Sequence, residues 1–221
     1  MNEFNFSISP ILTFFLNTGV PFETIKLILM LPIIATFIAF LRQVVGIKAF
    51  GIYTPLLITF AFLATNGIKY GIAIFIIIIL IGMLMRIALK SFRLLYLPRV
   101  AIMLTIVALS ILIMLAIGGS LKRTGLASVS IFPILIMITL VEKFIAVQIE
   151  KGDRAAIFLA TETLVISILG FYLASWETLI HFVTFYPWVI LLTIPLNVIL
   201  GKWTGLRLSE YLRFGEIIKR S

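Results

Sequence analysis

The chain has 221 residues, of which 62% are hydrophobic and 12% charged, with 18 Lys and Arg against 9 Asp and Glu and a net charge of +9. A soluble domain is about half apolar and about a quarter charged, so this composition, with a mean hydropathy of +1.22, excludes an ordinary soluble fold and indicates an integral membrane protein. The absence of cysteine rules out disulfides, thiolate nucleophiles and Cys-based metal sites, and a single histidine leaves no basis for a His-rich metal site or a triad.

The excess of cations does not indicate nucleic acid. They cluster at the ends of apolar runs, where lipid headgroups and membrane orientation account for them. The opening Met1-Asn2-Glu3 lacks the basic region of a signal peptide, so the first span is expected to serve as the insertion signal.

In chain order, residues 8–16 form an apolar run too short to span, expected to be interfacial or re-entrant, and Asn17-Thr18-Gly19 ends it. The first predicted span covers 24–40, with Thr24 as N-cap and Pro32 as a kink. A glycine-bearing link with Lys48 leads to a short second span at 54–65, with Pro55 in its first turn. The third, 68–88, is rich in isoleucine. Its length and company favour a lipid-facing helix over a strand.

A basic hinge follows at 86–100, carrying Arg86, Lys90, Arg93 and Arg99 and no carboxylate. The fourth span is 98–117, broken by Gly118-Gly119-Ser120, and Lys122 and Arg123 lie in the next loop. The fifth, 128–149, and the sixth, 155–175, flank a polar turn around Gly152. Trp176, Glu177, His181, Tyr186 and Trp188 form an aromatic boundary at headgroup level. The seventh span, 187–200, contains Pro195 and Asn197, and a broken helix is an option there. The tail from 202 to 221 is amphipathic and suits a helix on the inner membrane surface.

These elements predict an all-α bundle of about seven transmembrane helices: an N-terminal segment 1–23, a membrane domain 24–201 and a tail 202–221. By alternation, fourteen of the 18 Lys and Arg fall on one side and four on the other. The positive-inside bias makes the fourteen-cation side cytoplasmic, with the N-terminus outside and the C-terminus inside.

Two carboxylates carry the candidate chemistry. Glu142 and Glu162 lie within ten residues of Gly152, one on each arm of the predicted hairpin, roughly 12 Å inside their spans. A charge facing lipid is costly, so both are expected to face the bundle interior, with Arg86 and Arg99 as partners. This polar cluster could bind an ion, a proton or a charged solute, or it could be a set of ion pairs fixing helix register. Lys90, Arg93, Arg207 and Arg213 form the expected cytoplasmic interaction surface. His181 reads as interfacial. No nucleotide loop, zinc helix or serine elbow is present, no cofactor is indicated, and no repeat suggests an inverted-repeat transporter.

Four stretches carry a family resemblance: G-I-Y-T-P-L-L-I at 51–58, L-L-Y-L-P-R-V-A-I-M-L-T at 94–105, I-F-P-I-L-I-M-I-T-L-V-E-K-F at 131–144 and G-K-W-T-G-L-R-L-S-E-Y-L-R-F at 201–214. Over 42–215 the chain resembles the bacterial seven-transmembrane domain usually fused to an inactive transglutaminase-like domain. The resemblance implies a non-enzymatic anchor or scaffold in the bacterial inner membrane. Implied partners are an ATP-grasp peptide ligase of the glutamate-ligase type and aspartyl-protease-like proteins, in a system that makes or modifies a peptide or cell-surface component. About forty residues precede the match, so a stand-alone version is expected. The alternative function is a small-solute or peptide transporter or exporter using the Glu/Arg cluster.

Overall fold

A computed structural model describes residues 10–65, 68–89, 95–120 and 131–203. Among these the regular structure is helical throughout. In chain order it comprises α1 (Pro10–Asn17), α2 (Phe22–Phe40) running into a π-helical turn (Leu41–Val45), α3 (Tyr53–Ala64), α4 (Ile68–Leu89), α5 (Tyr96–Ser120), α6 (Ile131–Lys151), α7 (Asp153–Ala174), α8 (Glu177–Phe185), a 3-10 segment (Pro187–Leu192) and α9 (Thr193–Gly201).

Among the described residues four helical segments are long and apolar enough to cross a bilayer: Phe22–Val45, Leu97–Ile117, Phe132–Lys151 and Asp153–Ala174. A fifth arises if the pair Glu177–Phe185 and Pro187–Gly201, bent by 101°, is one broken span. The helix at the predicted second span has 12 residues, about 18 Å against a hydrocarbon core of about 30 Å. Large apolar side chains such as Leu84, Leu112, Ile113 and Phe158 are exposed on the helix surfaces, which suits contact with lipid tails.

The ends of several elements differ from expectation. The N-cap of α2 is Pro21, whose carbonyl accepts from the backbone N–H groups of Thr24 and Ile25 at 3.0 and 3.2 Å. Thr24 therefore lies inside the first turn. Helix α5 continues through Gly118 and Gly119 to Ser120 rather than breaking there, because glycine weakens a helix without forbidding it. The predicted seventh span begins as a 3-10 segment and holds only nine α-helical residues. The polar turn shrinks to Gly152 alone, at φ +86°, with its N–H donating to the Gln148 carbonyl at 3.1 Å. A left-handed residue at that point is the usual glycine stop of a helix.

The chain divides into two compact units, Lys48–Phe171 and Met1–Ile47 with Tyr172–Ser221. In the first, α3 to α7 share one core. Phe62 of α3, Ile74 and Ile78 of α4, Val107 of α5, Phe144 of α6 and Ala156 of α7 are nearly or fully buried in it. Small residues let the helices close up. A Cβ on Gly82 of α4 would stand 3.4 Å from the Phe144 ring, and one on Gly71 would collide with the Phe62 ring. In the second unit Leu12, Ile25, Leu29 and Val183 form the core, so α1 and α8 pack on the first half of α2. There Asn197 of α9 donates to Thr36 Oγ1 at 2.7 Å and to the Thr193 carbonyl at 2.8 Å.

Candidate functional site: a polar seam on helix α7

Thr163, Ser167 and Gly170 follow one another at spacings of four and three residues, which puts them on one face of α7. That face is turned to α3 and to the link before it. Ser167 Oγ lies 3.1 Å from the Pro55 carbonyl and 2.8 Å from the Thr163 carbonyl. Thr59 Oγ1 in turn lies 2.9 Å from the Pro55 carbonyl and 3.2 Å from the Ser167 carbonyl. A hydroxyl has one proton, so each donor is shared between two carbonyls. Thr163 Oγ1 donates to the Leu159 carbonyl at 2.7 Å and accepts from the Phe50 backbone N–H at 3.2 Å.

Thr59, Thr163 and Ser167 are fully buried. In an apolar interior an unpaired hydroxyl costs several kcal/mol on hydrocarbon transfer scales, of order 4 or more. Here each finds a backbone carbonyl, and α3 is tied to α7 at Pro55 and Thr59. Gly170 completes the contact. A Cβ there would lie 2.6 Å from Thr59 Oγ1, so only glycine permits this approach.

Glu162 stands beside Thr163 and is half-buried. Lys48, in the link before α3, is the charged residue that acts on the Glu162 carboxylate. Consecutive residues of α7 thus face the link, Glu162 toward Lys48 and Thr163 bonded to the Phe50 amide. Glu162 Oε2 is buried and has no hydrogen-bond partner among the described residues, as is true of Gln148 Oε1. Gln148 Nε2 donates to Asp153 Oδ1 at 2.7 Å across the Gly152 turn.

The other expected site residues are distributed as follows. Glu142 is exposed on α6 beside exposed Lys143 rather than turned into the bundle. The face of α6 that is buried here carries Leu140, Val141, Phe144 and Ile145 instead. Arg99 is half-buried in the first turns of α5. Arg86 belongs to α4 but its side chain lies outside the described residues, as do Lys90, Arg93, Arg207 and Arg213. The cation acting on Glu162 includes Lys48, a residue of the link that the sequence did not single out. Its signal was weak: one lysine in a glycine-bearing loop, with only the fold to bring it to Glu162.

Among the described residues no three His, Asp or Glu side chains converge as metal ligands. The arrangement places no hydroxyl beside a general base, since the hydroxyls described above are turned onto helix carbonyls.

The long apolar helices, their lipid-suited surface and an internal seam of satisfied hydroxyls define a multi-pass membrane protein. The chain belongs to the family described as seven transmembrane helices usually fused to an inactive transglutaminase, whose model matches residues 8–218. The match is wider than the 42–215 expected from motifs, and it takes in the short α1. No curated protein and no solved structure matches the chain.

Proposed function

We propose that the chain is a non-enzymatic membrane anchor and scaffold in the bacterial inner membrane, serving a peptide-synthesis or cell-surface-modification system with a soluble ATP-grasp ligase. The observation that carries this reading is the seam on α7. Its buried hydroxyls bind helix carbonyls and the α3 link, which suits a rigid platform better than a hydrated path. Family membership supports it, because a membrane unit usually fused to an inactive enzyme-like domain serves other domains through position. Lys90, Arg93, Arg207 and Arg213 form the cytoplasmic surface for the ligase, and a protease-like protein is the second partner. The test is affinity purification of the full chain from its own membranes in mild detergent. An ATP-grasp ligase is expected to co-purify; recovery of the intact chain with no soluble partner would count against the reading.

One observation favours a second reading, a transporter or exporter of a small solute or peptide: the unpartnered Oε2 of Glu162. In that reading Glu162, with Arg86 and Arg99, lines the path, and Glu142, exposed on α6, lies outside it. Reconstituted flux unchanged by Glu142→Gln and Glu162→Gln together would eliminate it.

A further inference from the structure

The second unit holds a cationic corner that none of the foregoing uses. Helix α2 ends in the π turn Leu41–Val45, closed by Gly46 at φ 87°. Arg42 lies in that turn, half-buried, and its Nε is buried with no hydrogen-bond partner among the described residues. The neighbouring Gln43 Nε2 reaches the Trp203 carbonyl at 3.5 Å, and α9 packs on the turn. Exposed Lys202 and Trp203 are therefore brought to the same end of the unit as Arg42.

No described carboxylate of this unit serves that end. From Thr24 to Val141 the sequence contains no Asp or Glu at all. Glu23 is paired with Lys26 at 2.9 Å, about 28 Å along the helix from Arg42. Glu177 opens α8, which packs through Val183 on Ile25 and Leu29 in the first half of α2. A guanidinium offers a planar fork that matches phosphate oxygens, a lysine adds a point charge, and tryptophan favours the headgroup level. Exposed Phe40, Val198 and Ile199 supply apolar surface nearby for acyl chains.

We propose that Arg42, Lys202 and Trp203 form a binding site for the phosphodiester headgroup of an anionic phospholipid. The site is independent of the scaffold reading. The test uses the full chain in phosphatidylcholine nanodiscs containing a minor fraction of phosphatidylglycerol, followed by detergent extraction and lipid mass spectrometry of the purified protein. Phosphatidylglycerol should be enriched over its bulk fraction. Arg42→Gln and Lys202→Gln should each lower that enrichment about fivefold, the value of one basic residue at a membrane surface. Arg42→Lys should fall between, having kept the charge and lost the fork. Lys202 is exposed, so its variant decides the matter if Arg42→Gln fails to fold. Enrichment that is equal in parent, Arg42→Gln and Lys202→Gln overturns the proposal. So does displacement by inorganic phosphate beyond that caused by chloride at equal ionic strength, which would assign a free phosphate site instead.

Discussion

Replacing Gly170 by alanine tests whether α3 and α7 meet as closely as the polar seam requires. The added Cβ would lie 2.6 Å from Thr59 Oγ1 and 3.2 Å from Thr59 Cγ2, so one side must move by several tenths of an ångström. Thr59 cannot simply rotate away, because Oγ1 is held by the Pro55 and Ser167 carbonyls at 2.9 and 3.2 Å. Overpacking of this kind costs about 1–3 kcal/mol. Hydrogen bonds broken in escaping it add about 0.6 kcal/mol each in a membrane protein. Alanine's better helix propensity offsets at most about 1 kcal/mol. The expected net loss is about 1–2 kcal/mol, read by reversible SDS titration of the purified chain in mixed micelles with circular dichroism. Thr59→Ala removes both atoms in the way, so the double variant should lie above the sum of the singles, with a coupling of about 1–2 kcal/mol. A Gly170→Ala chain as stable as the parent, together with additive singles, would refute the close approach.

Three further outcomes follow from the same packing. Phe144→Ala empties a fully buried site against Gly82 and should cost about 3–5 kcal/mol in that titration; a loss under about 1 kcal/mol would contradict its place in the core. Gly152→Ala meets no atom within 4 Å, so its cost should be backbone strain alone at φ +86°, about 1–2 kcal/mol, with Gly152→Asn closer to the parent. Glu162→Gln keeps the shape while neutralising a buried group whose Oε2 has no partner among the described residues. Its midpoint should match or exceed that of the parent, and a clear fall would show that the charge itself holds the unit together.

Hydropathy made most of the membrane helices legible, because apolar runs of about 20 residues have few other uses. Thus α5, α6 and α7 lie within a few residues of their expected positions. The isoleucine run at α4 also resolved as helix. The brevity of α3 was visible too, in the few residues between the link and the Asn66-Gly67 pair.

The seam was not legible. Single Thr and Ser residues in apolar helices commonly bond back to their own helix, as Thr105 and Ser110 do at 2.9 and 2.8 Å. Only the common face of Thr163, Ser167 and Gly170 set the seam residues apart, and their partners, Pro55 and Phe50, lie more than a hundred residues earlier. The two glutamates show the limit of reasoning from depth. Equal distance from Gly152 says nothing of rotation about each helix, so Glu142 is exposed while Glu162 lies against Lys48. Nothing in the sequence marked the π turn after Phe40, and the 101° bend falls between α8 and Pro187, just ahead of the stretch where a broken helix was an option. Pro187 marks the second of these, but a proline does not declare how far the chain turns.

The scaffold reading is tested most directly by membrane fractionation of the native host. The amount of ATP-grasp ligase sedimenting with membranes would be compared in cells with the parent chain, without it, and with Glu142→Gln and Glu162→Gln combined. The ligase is expected to leave the membrane when the chain is deleted and to stay there with the double variant. A ligase whose membrane association is unchanged by deletion would contradict it.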